Sequence, residues 1–137
     1  TPLVYIKRGL PPAELAGLYA TADVAWVAPL RDGMNLVAKE YIAAQDPADP
    51  GVLILSRFAG AAQQLTGALL VNPHSPDDIA HNIRLALDMS LEERKARWQP
   101  MLESVRNENV QSWMRDILRD LMAAPSATLN THNMDAR

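Results

Sequence analysis

The sequence has 137 residues, the size of one domain with its own hydrophobic core. The hydrophobic fraction of 48% is ordinary for a globular protein, and a formal net charge of −3 argues against a nucleic-acid partner. The sequence contains no cysteine, which excludes disulfides and thiolate metal sites and fits a cytoplasmic protein. No apolar stretch reaches the roughly 18 residues of a membrane helix, and no secretory signal is visible, so no membrane partner is expected.

Strand-like and helix-like segments alternate along the first half of the chain. A β-prone run predicts a strand over residues 3–7, and Pro11-Pro12 then opens a helix whose apolar face includes Leu15, Leu18 and Tyr19. Further strands are predicted over 23–28, 52–55 and 68–71, and further helices over 34–45 and 59–65. This alternation predicts a Rossmann-like α/β fold with a parallel sheet, flanking helices and right-handed crossovers.

The C-terminal part of the chain is predicted to be helical. Ser75-Pro76 and Ser90-Leu91-Glu92-Glu93 have the pattern of helix starts, and a last helix from about Asn107 carries an amphipathic stripe. The side chains predicted to face the core or to pack between elements are Trp26, Ile79, Ile83, Ala86, Leu87, Trp98 and Trp113. The domain is expected to span residues 1–122, and the polar segment 123–137 is expected to be a disordered tail.

The chain starts at Thr1, without an initiator methionine, and enters a strand-like run at once. Natural proteins rarely begin inside a core strand. We therefore expect a fragment of a larger protein.

The loop before the second predicted helix is the candidate functional site. Asp32 and Gly33 lie at the carboxyl end of a predicted strand, where open α/β sheets bind ligands. The N–H groups of residues 34–37 and the positive end of the helix dipole favour a phosphate there. Glu40 follows on the helix itself, so the two carboxylates are placed to hold two ends of one elongated ligand. By spacing alone, an Asp32 helix cap with a Glu40 surface pair, in an ordinary strand–helix turn, explains the same residues.

Other residues are weaker candidates. Arg31 and Lys39 are placed to touch phosphate, but they fit surface ion pairs as well. The segment 58–61 either lets the backbone approach a ligand or packs tightly between helix and sheet. No metal site is predicted, because the histidines lack the spacing of a ligand pair; they are His74, His81 and His132.

An eleven-residue motif closely resembles the donor-binding motif of trehalose-6-phosphate synthases, and it reads Arg31-Asp32-Gly33-Met34-Asn35-Leu36-Val37-Ala38-Lys39-Glu40-Tyr41. The similarity continues in the blocks Gln45-Asp46-Pro47, Pro50-Gly51-Val52-Leu53, Ser56, Phe58-Ala59-Gly60-Ala61-Ala62, Leu65, Val71-Asn72-Pro73, Met89-Ser90 and Trp113. These enzymes are retaining, metal-independent glycosyltransferases of the GT-B type, which has two Rossmann-like domains. The resemblance covers nearly all of residues 3–121, and it implies the C-terminal part of the donor-binding domain.

The resemblance implies a role for each residue of the motif. Asp32 is expected to be the catalytic-site residue that hydrogen-bonds the transferred glucose, and Glu40 is expected to accept hydrogen bonds from the ribose of the nucleotide. The other expected donor-binding residues, which act largely through backbone amides, are Gly33, Met34 and Asn35 at the sugar and Leu36 and Val37 at the diphosphate. No metal and no cofactor are expected, since the nucleotide sugar is itself a substrate.

The implied reaction moves glucose from UDP-glucose or a similar nucleotide sugar to glucose-6-phosphate with retention, forming trehalose-6-phosphate. The acceptor is expected to bind mainly to an N-terminal domain that this chain lacks, so we expect the chain alone to be inactive. That domain is also an expected partner of the last helix, and a homo-oligomer is left open. Two alternatives remain: a glucosylglycerol-phosphate synthase, which differs in acceptor, and a non-catalytic synthase-like module that binds sugars or partner subunits.

Overall fold

A computed structural model describes residues 3–108 and 110–123 of the protein. The chain divides into two units, one that ends at Asn107 and one that begins at Glu108. Apart from Ala123, which ends the last helix, the segment predicted to be a disordered tail lies outside the described residues.

The first unit is built on three parallel strands: β1 (Val24–Val27), β2 (Val52–Ser56) and β3 (Leu69–Val71). They stand in the order β1-β2-β3, and Val24 pairs with Val52 in the register. The predicted parallel α/β sheet is therefore confirmed, with three strands among the described residues where about four were expected.

The strand predicted over residues 3–7 is wrong. This segment has no regular secondary structure, and the side chains of Leu3, Val4 and Tyr5 are each more than three-quarters exposed. A β-prone run forms a strand only beside a partner strand and against a covered face. Neither is present for this run among the described residues.

Four α-helices surround the sheet: α1 (Pro12–Thr21), α2 (Leu36–Ala44), α3 (Pro76–Leu87) and α4 (Leu91–Asn107). A short 3₁₀ helix, Gly60–Gln63, replaces the short helix expected over 59–65. Ser75 caps α3, its Oγ accepting the Asp78 N–H at 3.3 Å, and Ser90 Oγ accepts the Glu93 N–H at the start of α4. Both helix starts read from the sequence are therefore confirmed.

Strand β2 is buried along its whole length and contributes side chains to two separate hydrophobic clusters. Leu53 and Leu55 pack on one face with residues of α2 and α4, whereas Val52 and Ile54 pack on the other face with residues of α3. This follows from the alternation of side chains along a strand. It explains the unbroken apolar run that is typical of a parallel strand covered on both faces.

Three of the residues predicted to face the core or to pack between elements are exposed: Trp26, Leu87 and, on the last helix, Trp113. Trp26 is 55% exposed because β1 is the edge strand of the described sheet, and Leu87 is 65% exposed at the last turn of α3. Trp98, in contrast, is buried as expected, and its Nε1 donates to the backbone oxygen of Ile42 at 2.9 Å.

The second unit contains helix α5 (Val110–Ala123). Its amphipathic stripe has the predicted composition, and the stripe residues are exposed; they are Val110, Trp113, Met114, Ile117, Leu118 and Leu121. Across the described residues, no helix combines the length and apolar character needed to cross a membrane.

We expect Trp98→Phe to lower the free energy of unfolding by about 1–3 kcal/mol, because the buried carbonyl of Ile42 loses its donor. Trp26→Phe is the matched control, and its change should stay within about 0.5 kcal/mol because the side chain is mostly exposed. Urea unfolding followed by circular dichroism measures both. Equal losses in the two variants would contradict the packing described for Trp98.

Candidate functional site

The loop between β1 and α2 lies at the carboxyl end of the sheet and is organised around the side chain of Asp32. Oδ1 of Asp32 accepts the backbone N–H of Met34 at 3.0 Å, and Oδ2 accepts the side-chain amide of Asn35 at 3.0 Å. Both carboxylate oxygens are thus held by donors of the loop itself. The Asp32 side chain therefore has a fixed direction before any ligand arrives.

Asn35 is the cap of α2, so the alternative in which Asp32 caps the helix is wrong. Its Oδ1 accepts the Ala38 N–H at 2.9 Å, and its backbone lies in the left-handed region with φ of 75°. Asparagine tolerates this conformation better than most residues, and it is a preferred cap. The helix therefore begins at Leu36, two residues later than expected.

A second backbone segment, which follows β2, holds the same loop. Asp32 N–H donates to Phe58 O at 3.3 Å, Gly60 N–H donates to Asp32 O at 2.9 Å, and Ala61 N–H donates to Met34 O at 2.8 Å. Asp32 and Ala59 form an isolated parallel bridge. The loop thus continues the sheet hydrogen bonding past the end of β1.

Glycine is required at position 60 by this close approach. A Cβ on Gly60 would lie 2.1 Å from the carbonyl oxygen of Gly33. The segment 58–61 therefore packs tightly against the candidate loop.

The first-turn amides of α2 fall into two groups. The N–H groups of Met34 and Asn35 turn toward Asp32. The N–H groups of Leu36 and Val37 have no acceptor within the described parts of the chain, and both side chains are exposed. Only the second pair is free to meet a ligand at the positive end of the helix dipole.

Hydrogen bonds keep Asp32 ionised. The Met34 N–H first, and then the side-chain amide of Asn35, hold the pKa of the Asp32 carboxyl below its usual value. Both donors favour the charged form of the carboxyl group. Asp32 is therefore an acceptor of hydrogen bonds at neutral pH rather than a proton donor.

Glu40 lies on the exposed side of α2 and faces a groove of about 460 Å³ between α1 and α2. Tyr19 of α1 lines the same groove, and the negative charge of Glu40 contributes, after partial burial, to a raised pKa of Tyr19. Tyr19 was predicted only to lie on the apolar face of its helix. The sequence signal for a polar role of Tyr19 was its hydroxyl group on a helix face that is otherwise aliphatic.

The remaining candidates stay outside this network. Arg31 is exposed next to Asp32, and Lys39 is half-buried on α2. No group of three or more His, Asp or Glu side chains within the described residues is placed to hold a metal ion.

An acidic loop beside free helix amides, at the carboxyl edge of a parallel α/β sheet, defines the class of site that binds phosphorylated ligands. The family model of Glycosyltransferase family 20 matches residues 1–123. The chain therefore belongs to glycosyltransferase family 20.

Named relatives agree with this family. The trehalose-6-phosphate synthase of Sinorhizobium fredii is 54% identical over 123 residues, which are 90% of this chain and 26% of that protein. The solved alpha,alpha-trehalose-phosphate synthase (UDP-forming) of Burkholderia xenovorans, in complex with glucose-6-phosphate, is 55% identical with a TM-score of 0.84. The match covers 89% of this chain and 27% of that structure.

An Escherichia coli structure with UDP-2-fluoro glucose bound is 48% identical with a TM-score of 0.84, over 91% of this chain and 28% of that one. This chain thus spans about a quarter of the length of the relatives it matches. The resemblance to trehalose-6-phosphate synthases and the GT-B fold class are confirmed.

We expect Gly60→Ala to destabilise the protein by about 1–3 kcal/mol, because the new methyl group must push the Gly33 carbonyl away. Gly17→Ala is the control, since nothing lies within 4 Å of its Cβ. That change, inside α1, should stabilise the protein by up to about 1 kcal/mol. Chemical denaturation of both variants checks the signs, and a neutral Gly60→Ala would contradict the close approach.

We expect Asn35→Gly to raise the pKa of Asp32 toward its ordinary value, because the carboxylate loses the side-chain amide of Asn35 as a donor while the left-handed backbone is kept. Carbon-13 NMR titration measures this, with the Asp32 signal assigned by its absence in Asp32→Asn. A lowered folded-state pKa gives stability above the unfolded value that is lost as the pH falls. Asn35→Gly should therefore lose less stability than the parent between about pH 5 and about pH 3. An unchanged titration would contradict the Asn35 bond.

Proposed function

We propose that the protein containing this chain is a retaining glucosyltransferase. It transfers glucose from a nucleotide sugar, UDP-glucose or a similar donor, to glucose-6-phosphate and releases trehalose-6-phosphate and the nucleoside diphosphate. The observation that carries this proposal is the prearranged Asp32 loop beside the free amides of Leu36 and Val37, in a chain of glycosyltransferase family 20. The relatives solved with glucose-6-phosphate and with UDP-2-fluoro glucose support both substrates.

The donor would lie along the loop and the first turns of α2. Asp32 would accept hydrogen bonds from hydroxyls of the transferred glucose, and Gly33, Met34 and Asn35 would border that sugar. Because Asp32 already uses its loop donors, the sugar would meet a carboxylate that needs no reorientation, which is the preorganisation that favours catalysis.

The diphosphate would face the start of α2. Leu36 and Val37 would donate their free N–H groups to its oxygens, and the helix dipole would stabilise the charge that builds on the leaving group. Glu40 would accept from the ribose hydroxyls. The two carboxylates would thereby hold the flanking sugars, and α2 would offer the phosphate between them its backbone amides.

Retention in this arrangement needs no covalent intermediate on the protein. The leaving phosphate oxygen departs from the face on which the acceptor hydroxyl attacks, and it takes the proton of that hydroxyl. The ionised Asp32 is suited to holding the sugar in this step rather than donating a proton. No metal ion or further cofactor takes part in the proposed reaction.

Other parts of the intact protein would complete the site. We propose that an N-terminal domain holds glucose-6-phosphate and supplies cations to the diphosphate, and that the exposed apolar stripe of α5 packs on that domain. We also propose that the protein acts in the cytoplasm, where nucleotide sugars and sugar phosphates are available.

The proposal is tested by separating turnover from nucleotide binding in a protein that carries this chain together with the preceding segment its relatives have. Asp32→Ala should lower kcat by about 100-fold or more, because it removes a contact to the reacting sugar, and should change the UDP affinity little. Glu40→Ala should weaken UDP binding at least about tenfold, because the hydrogen bonds it removes are to a charged group.

Glu103→Ala is the control, an exposed carboxylate on α4 whose removal should change neither quantity. Calorimetry with UDP and a steady-state assay with UDP-glucose and glucose-6-phosphate give both readouts. Equal losses of kcat and UDP affinity in Asp32→Ala would contradict its place at the sugar. A parent protein that binds neither UDP nor UDP-glucose would contradict the enzyme and favour a non-catalytic module.

A further inference from the structure

Residues of α2 and its C-terminal cap hold Tyr19 in place. Gln45 Nε2 donates to the backbone oxygen of Tyr19 at 2.6 Å, and the Tyr19 ring meets the fully buried ring of Tyr41 edge-on, with centroids 6.4 Å apart. The hydroxyl of Tyr41 donates to Ala22 O at 2.9 Å, just beyond the end of α1. The end of α1 and the body of α2 are thus tied together, and the Tyr19 ring has little freedom to turn away.

The Tyr19 ring and Glu40 line the same groove between α1 and α2. Partial burial first, and then the charge of Glu40 and the hydrogen bond with it, raise the pKa of Tyr19. The phenol is therefore protonated throughout the range in which the protein works. A protonated phenol beside a carboxylate is a hydrogen-bond donor.

The rest of the groove offers Glu40 no comparable partner. The other side chains that line it, all apolar, are Leu10, Pro12, Leu15, Ala16, Ala43 and Ala44. Among the residues that line this groove, Tyr19 is thus the one whose side chain has a neutral hydrogen-bond donor to offer the Glu40 carboxylate.

We propose that Tyr19 is a positioning residue for Glu40, its hydroxyl holding the carboxylate in the rotamer that accepts the ribose hydroxyls of the donor. This inference rests on the ribose role given to Glu40 in the proposed function.

A neutral donor is chemically suited to this task. An ionised carboxylate has about four acceptor positions on its two oxygens, so one bond from Tyr19 leaves room for two ribose hydroxyls. A lysine or arginine in the same place would neutralise the carboxylate and compete with the ligand for it. Tyr19 fixes the direction of Glu40 and leaves its charge intact.

Tyr19→Phe tests the inference in the protein described above, with UDP as the probe and calorimetry as the measurement. The variant keeps the ring and its contact with Tyr41 but removes the donor. We expect the Kd for UDP to rise about two- to tenfold, the range for one lost hydrogen bond. We expect kcat at saturating donor to stay within about twofold, because Tyr19 does not touch the reacting sugar.

Two further measurements separate positioning from a structural role. Tyr19→Phe should cost no affinity for the 2′,3′-dideoxy analogue of UDP, which lacks the hydroxyls that Glu40 would bind. It should also cost nothing in the Glu40→Ala background, because the two effects then act through one group. Tyr41→Phe is the matched control: it should lower Tm, since the Ala22 carbonyl loses its donor, and should leave the UDP affinity of the folded protein unchanged.

The outcomes distinguish this inference from the function on which it rests. If Glu40→Ala weakens UDP binding and Tyr19→Phe does not, the positioning role is wrong and the proposed function stands. An equal loss of affinity for UDP and its dideoxy analogue in Tyr19→Phe also overturns the positioning role, because it indicates a general change of shape. If Glu40→Ala leaves UDP binding unchanged, the ribose role of Glu40 fails, and the inference fails with it.

Discussion

The close approach of two backbone segments at the carboxyl edge of the sheet determines the candidate site. The carbonyl of Gly33 lies where a side chain on residue 60 would begin, so the loop after β1 and the segment after β2 meet without an intervening side chain. Three backbone hydrogen bonds then extend the sheet pairing into the loop. The position of Asp32 is therefore set by the sheet itself, which is a more rigid support than a free loop.

Because the sheet fixes the position of Asp32, the backbone N–H groups at the start of α2 fall into two sets. The N–H groups nearest Asp32 are used to direct its carboxylate, and those of Leu36 and Val37 are left free. Asn35 lies at the boundary between these two sets of N–H groups. Its side chain donates to Asp32 and also accepts the Ala38 N–H as the cap of α2. One residue thus links the direction of the Asp32 carboxylate to the start of the helix that is proposed to hold the phosphate.

Local patterns in the sequence were enough where local physics decides the structure. The run at β2 and the serine caps at Ser75 and Ser90 were predicted from neighbouring residues alone, and they are confirmed. Residues 3–7 and Trp26 were predicted wrongly because a strand and a buried tryptophan each need neighbours that no local pattern supplies. The cap was missed for a subtler reason: Asp32 and Asn35 are both favourable caps, and the bonds from segment 58–61 place Asp32 too early in the loop to serve.

Charge shows why the proposed donor site would need cations from elsewhere. The start of a helix carries roughly half an elementary positive charge. At the start of α2, the free N–H groups of Leu36 and Val37 present this charge to a ligand. A diphosphate carries more negative charge than that, and the carboxylates of Asp32 and Glu40 flank the place proposed for it. The exposed Arg31 is one candidate to balance it, although water screens a charge in that position strongly. If the donor binds as proposed, its diphosphate would therefore depend on basic side chains supplied by another part of the intact protein.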